Sequence, residues 1–222
     1  MSDPTLPELR SKVYKILSLC FIYPDEESFT YMSEKMSADL EGFLARMPHR
    51  KKLTSLGAFR SAIHDEVNQG TIQDLQVTYT SMFISPQPEI PCPPYESMYV
   101  NSPRRAMGPS TSDVIRRYAS FKLSLSANFK DLPDHIGVEL EFMHHLAHLE
   151  ASAASEGNDK DATSLVASEK AFLGDHLSKW FPHFADCIES RSSSQLLVAL
   201  SRLTREFVTE DSNYLANVRL QS

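Results

Sequence analysis

The residue spacings with the most chemical content lie within one short stretch of the chain. Glu141-Phe-Met-His144 is an ExxH pair, and His144 and His148 stand four residues apart on the same predicted helix. A carboxylate and imidazoles at this spacing share a helix face and suit metal ligation. A carboxylate-bridged di-metal bundle, however, needs a second ExxH pair and two further glutamates on other helices. The sequence holds a single ExxH and no HExxH. A helical metalloenzyme using Glu141, His144 and His148 is therefore the alternative reading. Just upstream, Asp134 and His135 fall in the first turn of the same helix, with Glu139 within i, i+4 reach of His135. Two accounts of this trio stay open. One is an acidic helix cap with His135 paired to Glu139, and the other is an exposed acid-imidazole pair that receives a cationic peptide.

Other chemistries are excluded early. The 222 residues include only 7 glycines, and the closest two, Gly57 and Gly70, are too far apart for GxGxxG or GxxxxGK[ST]. Phosphate-cradling loops of either kind need glycines within a few residues of each other. There is no GxSxG nucleophile turn. The three cysteines, Cys20, Cys92 and Cys187, have no CxxC spacing and are read as reduced thiols of a cytosolic protein. The net charge of −7 disfavours nucleic acid and suits a cationic partner. Neither a signal peptide nor a membrane span is read from the sequence, so a cytoplasmic location is expected. The pairs Arg104-Arg105 and Arg116-Arg117 read as solvated faces.

These residues need helices to position them. Apolar periodicity predicts a first helix over 5–22, a second from Asp25 towards Pro48, a third over 53–68 and a fourth from Thr71 through Phe83. Helical periodicity fails between Ser85 and Pro109, where five prolines fall between Pro86 and Pro94. Proline lacks an amide donor and keeps the preceding residue out of the α region, so this segment must be extended. It ends in Tyr95, Met98, Tyr99 and Val100, which favours an ordered loop over a disordered linker. Further helices are predicted from Ser112 towards Ala127, over 134–154, over 162–179, over 181–189 after a bend at Trp180-Phe181-Pro182, and over 194–209, followed by a frayed tail. The expectation is an all-α chain, a single domain over 1–222 of about eight to ten helices, with an ordered Pro-rich central loop over 85–109.

Two stretches carry a resemblance. Cys92-Pro-Pro-Tyr-Glu-Ser-Met-Tyr99 and Leu132-Pro-Asp-His-Ile-Gly-Val-Glu-Leu-Glu-Phe-Met143 resemble the signature segments of the TorD/DmsD/NarJ family of molybdoenzyme chaperones. The early Leu-x-x-Cys-Phe-Ile-Tyr-Pro-Asp turn, Tyr79-Thr-Ser-Met-Phe83 and the Phe172-Leu173 to Trp180 helix are similar too. The resemblance implies a TorD-like all-α fold and no catalysis. It implies a protein that binds the N-terminal, often twin-arginine, region of an apo-molybdoenzyme catalytic subunit and delays export until cofactor insertion. No resident cofactor is implied, and the molybdenum cofactor would be met only during insertion. Monomer and homodimer stay open. Carried over by motif, the peptide contacts are Tyr79, Phe83, Pro94, Tyr95, Glu96, Ser97, Asp134 and His135, with Glu139 beside them. In this reading the aromatic residues form a groove, and Glu96 and Asp134 pair with the arginines.

Overall fold

The computed structural model describes residues 3–48, 50–86, 88–101, 106–126 and 129–218. Helix α1 (Leu6–Cys20) starts at a capping box, where Thr5 N–H donates to Glu8 Oε2 at 2.6 Å. Such reciprocal bonds satisfy the amides that a helix start leaves without partners. Helix α2 (26–45) starts at Asp25, whose Oδ1 accepts from Ser28 N–H at 2.8 Å, and passes through a π-helical turn at Met32–Met36. Helix α3 (56–68) ends in a second π turn, Ile63–Asn68. Helix α4 (Ile72–Phe83) is capped by Thr71 and Asp74 and leads into the Pro-rich loop. Then come a single turn α5 (Ser97–Val100) and α6 (Pro109–Ser120). Four longer helices complete the chain: α7 (Ile136–Ser155), α8 (Asp159–Asp175), α9 (Leu177–Arg191) and α10 (Gln195–Asn217).

All named elements among the described residues are helical. Helix α7 is the centre of the packing, with α1 along one side and α8 along another, while α10 packs on α9 and α3. At Gly137 the chain around the end of α1 comes close to α7, and a Cβ there would require the Ile22 side chain to shift. That Cβ would stand 2.5 Å from Ile22 Cδ1, and Ser18 Oγ donates to the Gly137 carbonyl at 2.7 Å. Trp180, Phe181 and Phe184 of α9 meet Phe21 and Phe83 in one aromatic cluster, with Phe21–Phe184 and Phe83–Phe184 centroids at 5.9 and 5.8 Å. Burial on this scale, at about 25 cal/mol per Å² of apolar surface, is the main force holding the helices together.

A second, polar knot lies inside the bundle. Arg10 is fully buried, and its Nε donates to Asp211 Oδ1 at 2.5 Å and its Nη1 to Glu150 Oε2 at 2.7 Å. Its Nη2 donates to Glu169, and Tyr14 Oη donates to Asp211 Oδ2 at 2.7 Å. One guanidinium thus joins α1, α7, α8 and α10. Burial pushes the Glu169 carboxyl up to about 8, against the opposing pull of Arg10.

Several expectations need correction. Pro182 does not bend the chain but sits inside α9, because Trp180, Phe181 and Phe184 bury the surrounding turns. The break falls at His176 instead (φ −119°, ψ −92°). The predicted frayed tail is helix as far as Asn217, tied down by Asp211 on Arg10 and by buried Leu215. Helix α6 ends at Ser120, short of Ala127, which lies outside the described residues along with Arg104 and Arg105. A helical turn, α5, falls within the predicted break. The largest correction concerns sulfur. Cys92 and Cys187 form a disulfide across 95 residues, leaving Cys20 as the free cysteine. Spacing rules detect local pairs, and here the packing of α9 beneath the Pro-rich loop creates a distant one.

Candidate functional site

The Pro-rich loop is pinned at one antiparallel bridge. Pro93 and Pro94 fix φ and offer no amide, so the segment pairs through the Pro94 carbonyl and the Glu96 amide. Ile136 N–H donates to Pro94 O at 2.9 Å and Glu96 N–H donates to Asp134 O at 3.0 Å, an antiparallel bridge centred on Tyr95 and His135. The two signature stretches are thus bonded directly to each other. Asp134 Oδ2 accepts from Ser97 N–H at 2.8 Å and so anchors the first turn of α5.

The side chains beneath this bridge are already engaged. His135 Nδ1 accepts from Gly137 N–H at 3.0 Å and caps α7, so the ring proton sits on Nε2, 3.3 Å from Tyr79 Oη. Tyr79 in turn donates to the Phe21 carbonyl at 3.0 Å. Burial holds His135 near 4, with Asp131 and Asp134 opposing, and the ring is neutral at pH 7. Glu96 faces His176 Nδ1 at 2.9 Å, while His176 Nε2 faces Asp113 Oδ2 at 3.0 Å. Hydrogen bonds from Arg116 and Arg117 hold the Asp113 carboxyl well below the usual range, and Arg117 also binds Asp175 at 2.6 Å. Glu139 accepts from Trp180 Nε1 at 2.9 Å, and burial together with Glu96 raises its carboxyl well above the usual range.

The predicted contact residues are therefore brought together, but mostly below the surface. Tyr79, Phe83, Pro94, Glu96, Ser97, Asp134, His135 and Glu139 are buried, and only Tyr95 is half-exposed. The acid-imidazole pair is not exposed, His135 is not paired with Glu139, and Asp134 caps α5 rather than α7. The alternative metal set does not converge either. Glu141 pairs with Lys15 at 2.8 Å, His144 Nδ1 sits 2.8 Å from Ser11 Oγ, and no three potential ligands gather among the described residues.

Above the bridge lies a cavity of about 890 Å³ between the Pro-rich loop with α5 on one side and α9 on the other. Tyr95, Met98 and Tyr99 supply apolar and aromatic surface, and Glu89, His183, Asp186 and Arg191 add charged and polar groups, with Asp186 paired to Arg205 at 2.7 Å. Tyr95 Oη donates to Asp131 Oδ1 at 2.6 Å, and Tyr99 stacks on Trp180 with centroids 5.6 Å apart. The arrangement offers a concave surface with rigid rings beside two carboxylates and the Arg191 cation, and it suits an extended or helical segment bearing both apolar and charged residues. Sequence reasoning missed His176 and Asp186, which lie far along the chain from the loop they serve, His176 being 80 residues from Glu96. The Phe172-to-Trp180 helix, noted as a family feature, does contain His176, whereas no local pattern marks Asp186.

Comparison with known proteins places the family and the fold. The chain is 26% identical over 207 residues to the chaperone protein TorD of Aeromonas salmonicida (strain A449), covering 89% of this chain and 88% of that one. It is 26% identical over 213 residues to a perchlorate reductase assembly chaperone protein of Dechloromonas aromatica (strain RCB), covering 90% and 86%. A solved structure, a putative redox enzyme maturation protein from Archaeoglobus fulgidus, superposes with a TM-score of 0.60 at 28% identity, covering 90% of this chain and 93% of that one. The family model described as nitrate reductase delta subunit matches residues 49–186. With its loop and α7 bonded through both signature stretches, the chain belongs to the nitrate reductase delta subunit family, a family of redox-enzyme maturation chaperones rather than of catalysts.

Proposed function

We propose that this chain is a cytoplasmic maturation chaperone that binds the N-terminal, twin-arginine region of an apo-molybdoenzyme catalytic subunit and delays its export until the molybdenum cofactor is inserted. The observation carrying this reading is the cavity between the Pro-rich loop and α9, lined by Tyr95, Met98 and Tyr99 and bearing the carboxylates of Glu89 and Asp186 beside the Arg191 cation. A twin-arginine segment offers the complementary features, two adjacent cations followed by an apolar stretch. Tyr95 and Tyr99 act as anchors, and Glu89 and Asp186 meet the arginines. The buried motif residues Asp134, His135, Glu96 and Glu139 hold those anchors in place beneath the rim. The related reductase chaperones support the class of client. Among the described residues no helix is long and apolar enough to cross a membrane.

The test is calorimetric titration of the chain with a synthetic twin-arginine signal peptide from a molybdoenzyme catalytic subunit. Tyr95→Ala weakens binding by about 1–3 kcal/mol, the range for a buried aromatic anchor, and leaves the fold intact. An unchanged dissociation constant removes Tyr95 from the site.

A further inference from the structure

The three sulfurs differ in access. Cys20 is enclosed by the core, and burial pushes its thiol up to about 12, which leaves it inert at neutral pH. Cys92 is fully buried, whereas Cys187 is half-buried and lines the cavity between the Pro-rich loop and α9. Their disulfide joins the two walls of that cavity. It acts on a stretch with few other backbone anchors among the described residues. Residues 94–96 have two backbone bonds to 134–136. Between Pro86 and Pro93, among the described residues, the Cys92 N–H bond to Met82 O, at 3.1 Å, is the one backbone anchor. Pro86, Pro88, Pro91 and Pro93 bring no amide to this stretch.

We propose that Cys92–Cys187 is a reversible thiol–disulfide site, open at Cys187 to low-molecular-weight thiols and disulfides of the glutathione class, and that its oxidised form fixes the wall of the peptide cavity. The proposal rests on the peptide-binding reading above. Reduction begins when a glutathione thiolate attacks Cys187 Sγ. The Cys92–Cys187 bond breaks, its electron pair leaves on Cys92 Sγ, which takes a proton, and Cys187 is left in a mixed disulfide. A second glutathione thiolate attacks the glutathione sulfur of that bond, releasing Cys187 as a thiol after protonation, together with glutathione disulfide. Two glutathione molecules are oxidised and the protein gains two electrons and two protons. Oxidation by glutathione disulfide runs the same exchange backwards. Burial keeps direct attack away from Cys92. With the bond closed the wall is preorganised, and the peptide binds without ordering it. With the bond open, only a fraction of molecules present a competent wall, and apparent affinity falls by that fraction.

The test equilibrates the full chain in glutathione buffers of graded thiol-to-disulfide ratio and quenches it with a maleimide. Mass spectrometry counts labelled cysteines, and parallel samples are titrated with the synthetic twin-arginine peptide. Cys92 and Cys187 are expected to gain label together over one transition while Cys20 stays unlabelled. The peptide dissociation constant should rise about fivefold on reduction if the free wall is competent about a fifth of the time. Cys187→Ser should bind as the reduced form does in every buffer. Equal affinity in both forms, or thiols at all ratios, overturns the proposal. If the peptide binds neither form, the peptide reading fails, and hydrogen exchange at the Cys92 amide decides the sulfur proposal separately. Faster exchange on reduction supports it, and unchanged exchange overturns it.

Discussion

The Arg10 cluster and the cluster around Glu96 and Asp134 are both buried, both acidic and both tie distant segments together, yet the second lies beside the cavity of the Pro-rich loop. Arg10 is enclosed by α1, α7, α8 and α10, and its donors go to Asp211, Glu150 and Glu169. Its bonds run between helices, and its role is to fix four of them in register. The second cluster, Glu96 with His176 and Asp134 with Ser97, lies directly under the cavity lined by Tyr95 and Tyr99. Its bonds reach backbone and loop as well as helix. The difference separates a charge cluster that specifies the fold from one that aims a surface. Polar groups buried under a loop hold that loop still, which a binding rim needs.

That distinction can be broken by substitution. Arg10→Met leaves three buried carboxyl groups without their cation, and the cost is about 3–5 kcal/mol of folding stability, read by urea unfolding. Peptide affinity of the molecules that remain folded should not change. Glu96→Ala strips the Nδ1 partner from buried His176, leaving Asp113 on Nε2, and costs about 1–3 kcal/mol. Unlike the first variant, it should also weaken the peptide, because Tyr95 and α5 lose their support. If both variants lower affinity alike, the two clusters are not distinct in role.

Smaller effects sharpen the same contrast. Glu89 is exposed at the cavity edge, so Glu89→Lys should slow peptide association severalfold at low salt and flatten its salt dependence. Stability should be unaffected. The pH response belongs to the other cluster. Burial raises the Glu169 carboxyl from 4.5 to about 8, against the pull of Arg10. The folded chain then holds this proton more tightly than the unfolded one. The stability it lends is fully present below 4.5 and is lost as pH rises through about 8. Thermal melts should therefore fall across that window, and Glu169→Gln should reduce the slope.

The helices were legible because their signals are local. Thr5 with Glu8, Asp25 with Ser28 and Thr71 with Asp74 mark helix starts within three residues. The break at the Pro-rich loop was legible from its prolines, and the family motifs named Tyr95 and His135, which the structure sets against each other in one bridge. Exposure was not. Whether Glu96, Asp134 and Glu139 face solvent depends on His176, Ser97 and Trp180, which reach them through tertiary packing. The Glu96–His176 contact spans 80 residues and the Glu139–Trp180 contact spans 41. The Cys92–Cys187 bond and the unbroken helix through Pro182 were hidden for the same reason, since both follow from where α9 packs.

The central claim is that the client segment occupies the cavity between the Pro-rich loop and α9. Hydrogen exchange of the chain with and without the synthetic twin-arginine peptide tests it most directly. Slowed exchange concentrated at residues 89–99 and 183–191 is the predicted result. Protection confined to other helices, with these two segments unchanged while the peptide is bound, would contradict it.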